Sequence, residues 1–592
     1  MAKTDYITRF LIWRIRHLST KNFVLIVSGV IGIVSGVAAV ILKGLVHAIQ
    51  HFLTNSFYEE YANFFYIVYP IIGISLAYLI GTYVLKDKGG HGIPDILYII
   101  SKKGSLIPRV KMYSRVITSA LTVGFGGSVG LEAPIVVTGS AIGSNIGVLM
   151  HLNAKKRTLL IGCGAAGAIS AIFGAPIGAV IFAIEVILME VSIGSFIPLL
   201  IASVTGALTS ILLQGNESMF NFSISEEFVA SHVPYYFGLA VFTGFVSLYF
   251  SRTILSTEGF LDRFDEPFLK LLYGGAFLGL ILFIFPPIYG EGYDTLNHLV
   301  SGQPNNILSK SPFFSEIDNP YFIILFLSMI ILIKPIASAI TIGTGGSGGV
   351  FAPSLFVGGI AGFLFAYSAN LLNLPIELPL ASFTLVGMCA VMSGVQHSPL
   401  SAIFLIAELT GGYELLIPLM LVSSISFVTT TYFDKDSLYK KQLIAKGTFL
   451  PSTKDEEVLE LMDIKKIMEN DLLPVSPEAS LGDLCELVKL SRRNIFPVVN
   501  EYGDLNGIVT LDDIRELMFD SESQKTLKVK QLMHSPPEVI NSNENMQNVM
   551  DKFEKSGAWN LPVTDSGKYI GFISKARIFH AYRKKLIRQN QE

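Results

Sequence analysis

The sequence predicts a polytopic α-helical membrane protein built as an inverted repeat with discontinuous helices, followed by a soluble α/β tail. Three observations predict it. The chain's 44 basic and 47 acidic residues are unevenly spread, 42 of them lying in the last 142 positions and 49 in the first 450, so the leading part falls far below the roughly 25% charge of an ordinary soluble domain. Apolar runs at 23–42, 66–85, 236–250 and 321–333 have the length and glycine content of spanning or near-spanning helices. Two glycine-bounded breaks, GLEAP at 130–134 and GGVFAP at 348–353, interrupt apolar sequence.

The first element, residues 1–22, is basic and amphipathic, with Arg9, Arg14, Arg16, His17 and Lys21. It resembles the charged start of a signal peptide, but the run that follows is too long and shows no small-residue cleavage site. We read it as an interfacial helix with a cytoplasmic N-terminus, by the positive-inside rule.

Self-comparison then divides the membrane part. APIGAVIFAIE at 175–185 is echoed by SPLSAIFLIAE at 398–408, displaced by 223 residues; the Ala-Pro of the two breaks recurs at 219 (Ala133, Ala352), and GHGIPD at Gly90 is loosely matched by GEGYD at Gly290, displaced by 200. Matches in one order define two repeats, 23–214 and 235–433, with 434–462 as a further helix and linker. Repeated halves with Gly/Pro-interrupted segments are the pattern of transporters whose broken helices meet near the midplane. A helix N-terminus offers unpaired N–H groups and a partial positive charge, so several of them converging favour an anion. Glycines before each break allow close backbone approach, and the proline after Ala133 or Ala352 suits a first helical turn.

Glu132 stands inside the first break. A carboxylate costs roughly 2.5–3.5 kcal/mol at membrane depth, so it marks an ion or proton pathway more readily than packing. A loop glutamate outside the membrane is the alternative, and the apolar flanks weigh against it.

These motifs together resemble the CLC chloride channels and proton-coupled anion transporters, over nearly the whole chain. GHGIP stands for that family's GSGIP, GLEAP for GREGP or GKEGP, GGVFAP for GGIFAP, and SLYKKQL carries a late tyrosine, Tyr439. The resemblance implies a CLC-type fold of tilted, incomplete helices in a multi-pass cell-membrane protein, assembled as a homodimer with one anion pathway per subunit. It implies that Glu132 is the external gating glutamate, its carboxylate competing with chloride for one site. Val350 and Phe351 would offer backbone N–H groups and Tyr439 a hydroxyl to the central anion, with Leu131 and Ala133 flanking an outer site.

Three positions depart from the family pattern. His91 replaces a serine, or the proline of nitrate-preferring members, which puts an imidazole where a small hydroxyl is usual and leaves anion preference open. Leu131 replaces a basic residue beside the gate, removing a charge that would concentrate anions. Val186 follows Glu185 where proton-exchanging members commonly carry a second glutamate. Valine cannot titrate, so passive chloride conduction is expected, with anion/proton antiport by the same fold as the alternative. Glu185 and Glu408, repeated as a pair, are expected to satisfy backbone or polar groups at helix ends.

The tail repeats again. IKKIM at Ile464 and VKQLM at Val529 are offset by 65, as are Pro497 and Pro562, and the units close on GIVTLDDI at Gly507 and GFISKARI at Gly571. Each reads as strand, turn, strand, helix. The two units, 463–520 and 527–590, resemble a tandem pair of cytoplasmic CBS domains. In that family a Thr/Ser-x-x-Asp holds an adenine nucleotide such as ATP, ADP or AMP; Thr510 and Asp513 match it, whereas Ser574 is followed by Arg577. Asp513 as a simple helix cap is the other reading.

Other classes find little support. Cys163, Cys389 and Cys485 lie far apart and suggest neither disulfides nor a zinc site. A net charge of -3 gives no case for nucleic acid. A divalent-cation transporter with a CBS tail would need several pore carboxylates, and no enzyme constellation or required cofactor is visible.

Overall fold

The computed structural model describes residues 13–14, 16–55, 62–87, 92–188, 193–215, 228–308, 311, 313–314, 319–372, 376–445, 459 and 462–591. Most of the expected interfacial helix over 1–22, and His91 with it, lie outside the described residues. The chain forms two compact units, the first ending at Thr448 and the second beginning at Phe449.

Among the described residues, the regular elements of the first unit are helices. Its first half runs α1 (Thr20–Asn55), α2 (Ala62–Leu79), α3 (Ile93–Lys102), α4 (Ser114–Gly124), α5 (Glu132–Leu149), α6 (Ala154–Phe173), α7 (Pro176–Phe182) and α8 (Ile193–Gln214). The second half runs α9 (Val233–Leu261), α10 (Pro267–Ile284), α11 (Tyr293–Val300), α12 (Pro320–Gly343), α13 (Phe351–Leu371), α14 (Leu380–Gln396), α15 (Pro399–Leu409) and α16 (Leu416–Phe433), and α17 (Leu438–Ala445) follows. Nine helices among the described residues are long and apolar enough to cross a membrane. Others, such as α3 and α7, are too short to do so, which makes the helices discontinuous.

Two apolar runs extend beyond their sequence limits. The run at 23–42 belongs to the 36-residue α1, and the run at 321–333 continues through Lys334 to Gly343. Lys334 looks like the end of an apolar segment, but it is fully buried and its Nζ donates to the carbonyls of Ile288 (3.1 Å) and Gly290 (2.9 Å).

Glycines set how closely the inner helices pack, and they do so at equivalent places in both halves. A Cβ at Gly143 of α5 would lie 1.9 Å from the Leu160 carbonyl oxygen of α6, and one at Gly362 of α13 would lie 2.0 Å from the Phe383 oxygen of α14. Only a bare Cα permits that approach. The result is that residues 132–144 and 351–364 are buried on every side, while α8 and α10 turn large apolar side chains such as Leu212 and Phe268 outward, as lipid-facing helices do.

In the second unit, β1 (Ile495–Val499) pairs antiparallel with β2 (Leu505–Thr510). The later repeat places β3 (Ile540–Asn541) parallel to β4 (Asn560–Asp565), which pairs antiparallel with β5 (Lys568–Ser574). The repeats exchange edges: Ile508 of β2 bridges His534, and Phe572 of β5 bridges Glu469. Each sheet is thus closed by a residue from the stretch that leads into the other repeat.

Candidate anion pathway, gate and nucleotide cleft

The two glycine-bounded breaks meet. Gly130 and Gly349 exchange both backbone hydrogen bonds, at 2.9 and 3.0 Å, in an antiparallel bridge between the halves. Neither glycine could carry a side chain, since a Cβ at Gly349 would lie 2.5 Å from Ala133 Cβ and one at Gly130 would lie 2.7 Å from Ala352 Cβ. Helices α5 and α13 therefore start side by side. Gly92, the left-handed residue before α3 (φ 75°), would meet Ala133 with a Cβ at 3.0 Å. Three helix N-termini gather around Ala133, each with unpaired N–H groups and a partial positive charge.

Leu131, Ala133, Val350 and Phe351 are all buried there. The Phe351 ring is held by Phe173 and Phe182, with centroids at 5.5 and 5.8 Å. Tyr439 is the second residue of the short α17, which packs against α3. Its side chain is buried, and its hydroxyl has no hydrogen-bond partner among the described residues. A buried hydroxyl of this kind is a donor without an acceptor.

Glu132 is the first residue of α5 and 1% exposed. Its Oε1 accepts a 2.7 Å hydrogen bond from the Tyr293 hydroxyl, and its Oε2 has no hydrogen-bond partner among the described residues. Three residues around it escape sequence reasoning. Tyr293 is one; Glu291, whose Oε1 accepts from the Leu131 N–H at 3.1 Å, is another; Lys334, which pins the carbonyls of the same loop and lies 4.8 Å over the Phe356 ring, is the third. The echo of GHGIPD in GEGYD is the signal that could have found the first two. Hydroxyls brace the loops: Ser338 donates to the Ser128 carbonyl and Ser128 to that of Ile288, both at 2.7 Å.

Val186 is buried in the widened helical turn 183–188 that continues α7. Its neighbour Glu185 caps the second half's α15, accepting from the Ser401 N–H (2.8 Å), the Ser401 hydroxyl (2.6 Å) and the Leu400 N–H (3.4 Å). Glu408 at the end of α15 returns the cap to α7 through the Ile177 (3.0 Å) and Gly178 (2.7 Å) N–H groups.

In the tail, Thr510 caps the turn 511–514. Asp513 Oδ2 accepts from its N–H and its hydroxyl, both at 2.7 Å, and lies 3.2 Å from His534 Nε2. Partial burial pushes the Asp513 carboxyl up, but the Thr510 bonds and the His534 ring outweigh it and hold the group below the usual aspartate range. At the matching position of the second repeat, Ser574 donates to Glu469 Oε1 at 2.9 Å, and Glu469 Oε2 pairs with Arg493 at 2.6 Å. In the first repeat Asp513 stays partly exposed, at 30%.

Known proteins give this geometry its family. The sequence profile of the voltage-gated chloride channel family matches residues 72–431, and that of the CBS domain matches 464–520 and 529–584. A ClcB-like chloride channel protein of Ralstonia nicotianae is 26% identical over 431 residues, covering 71% of this chain and 96% of its own. Among solved structures, a slow cyanobacterial Cl-/H+ antiporter superposes with a TM-score of 0.61 at 21% identity, over 72% of this chain and 98% of its own. A eukaryotic CLC transporter gives 0.61 at 18% identity, over 94% and 99%. The fold is shared. With paired helix starts that suit an anion, a cytoplasmic CBS pair and a profile match over most of the membrane part, the chain belongs to the voltage-gated chloride channel family, and its activity is the transport of anions across a membrane.

Proposed function

We propose that this protein exchanges chloride, or a similar monovalent anion, for protons, with Glu132 as the group that both yields its place to the anion and carries the proton. The observation that carries this reading is the state of Glu132: a buried carboxylate among converging helix N-termini, held by the Tyr293 phenol and facing backbone N–H groups of its own helix start and of Ala352. Protonation cancels the charge that competes with an anion for those N–H groups. The buried, unpartnered Tyr439 hydroxyl and the backbone of Val350 and Phe351 supply the central site; Leu131 and Ala133 supply the outer one. The solved relatives described as antiporter and transporter support exchange.

Passive conduction, the expectation drawn from Val186, remains a second reading because that residue is buried and apolar where a proton acceptor is usual. In both readings the subunits pair as a homodimer, each with its own pathway, and adenine nucleotide binds the cleft at Thr510 and Asp513.

The deciding experiment reconstitutes the full chain in liposomes, imposes a chloride gradient without a pH gradient and records external pH. Exchange requires proton movement driven by the chloride gradient alone, abolished in Glu132→Gln while chloride flux continues. A reversal potential that follows chloride alone, unmoved by pH, would overturn exchange in favour of conduction.

A further inference from the structure

We propose that Glu291 is a second tethered carboxylate on the outer side of the pathway, occupying the Leu131 N–H that an anion would otherwise use. The inference rests on the reading of Glu132 as the gate and of the α5 N-terminus as an anion donor.

The side follows from tracing the chain. Glu258, near the end of α9, accepts from Gln442 Nε2 of α17 at 3.2 and 3.1 Å. Helix α17 leads to the cytoplasmic tail, so α9 ends and α10 begins at the cytoplasmic face. The 18 residues of α10 then carry the chain about 27 Å across. The loop that follows, with Glu291, lies at the outer end.

The loop is fixed at several points. Gly290 and Gly292 on either side of Glu291 are both left-handed (φ 60° and 90°), and a Cβ at Gly292 would lie 2.5 Å from the Phe356 ring. Lys334 holds the Gly290 carbonyl. From this turn the Glu291 carboxylate reaches the Leu131 N–H, a donor that the start of α5 leaves free of intrahelical bonds. Two residues on, Tyr293 reaches the Glu132 carboxylate. One loop therefore touches both the gate's side chain and the backbone beside it. The charged and titratable groups facing Glu291 are Glu132, Lys334, Tyr293 and, from α1, Lys43.

A charged Glu291 acts on an arriving anion twice: it fills a donor and it repels. When Glu291 is neutral the repulsion is gone, and when its side chain is displaced the donor is released as well. External anion affinity thus depends on two carboxylates.

Glu291→Gln separates charge from architecture, because the amide oxygen still accepts from the Leu131 N–H. The variant is expected to lower the external chloride concentration for half-maximal flux about threefold to tenfold and to flatten the dependence of flux on external pH. In a Glu132→Gln background, a residual external pH dependence is expected that adding Glu291→Gln removes. Unchanged half-saturation and external pH profile in Glu291→Gln, with Glu132→Gln still altering flux, would overturn the proposal and leave Glu291 a brace. If Glu291→Gln fails to fold, the single Glu132→Gln protein decides: no residual external pH dependence overturns it. A Glu132→Gln protein indistinguishable from wild type in flux would instead remove the gate reading on which the inference rests.

Discussion

The reciprocal caps between the halves make a quantitative prediction. Glu408 accepts two backbone N–H groups at the start of α7, and Glu408→Ala leaves both without that acceptor. Hydrogen bonds to a charged group contribute about 1.5–3 kcal/mol each and the helix N-terminus adds up to about 1 kcal/mol. Because the carboxylate is only half-buried, the lower end applies, a loss of about 2–4 kcal/mol. Glu408→Gln keeps one acceptor oxygen and should lose about half as much. Glu185→Ala, which strips the matching cap from α15, should cost about the same as Glu408→Ala. The assay is thermal unfolding of the full chain in detergent, ranked as wild type, Gln, Ala, with the alanine variants melting several degrees lower. Wild-type melting in Glu408→Ala would refute the idea that these carboxylates join the halves.

Glu132→Gln should raise anion flux by about an order of magnitude and weaken, without abolishing, its dependence on external pH, since it removes the competing charge; tracer flux at two external pH values tests this. Asp513→Ala should weaken adenine-nucleotide binding to the full chain by calorimetry, and equal binding would discard the cleft assignment. Because the Asp513 carboxyl is held below its ordinary range in the fold, its stabilisation is complete above about pH 4 and is lost as pH falls through the lowered value. Asp513→Asn should therefore make unfolding of the tail, followed by circular dichroism, less steep in acid, and an unchanged profile would count against it. His91→Ser should preserve transport and change the chloride to nitrate ratio, measured by anion substitution; an unchanged ratio would place the imidazole away from the anion.

Much of the fold is legible because its signals are local. Gly-x-x-Ala-Pro sets a helix start at Glu132 and Phe351 whatever surrounds it, and the repeated Glu185 and Glu408 announce themselves as an end-of-helix pair. The residues around the gate are not legible in this way. Glu291 and Tyr293 meet Leu131 and Glu132 across 160 and 161 positions, and only the loose echo of GHGIPD in GEGYD separates their loop from an ordinary turn. Lys334 misleads for the opposite reason: a lysine in an apolar run suggests an exit from the membrane, and only two distant carbonyls explain why it stays inside. The wide helical turns at 80–84 and 183–188 carry no composition cue at all.

The bridge between Gly130 and Gly349 limits how the molecule can work. It stitches the two halves together at the point where their helices start, and the glycines fit so tightly that sliding would drive backbone into side chain. A cycle that rocks one half against the other would break two amide hydrogen bonds, each about 4–6 kcal/mol when nothing replaces it. In the proposed exchange, turnover therefore keeps this frame static and leaves the movement to carboxylate side chains. The distance moved is then set by the reach of a glutamate, a latch rather than a hinge.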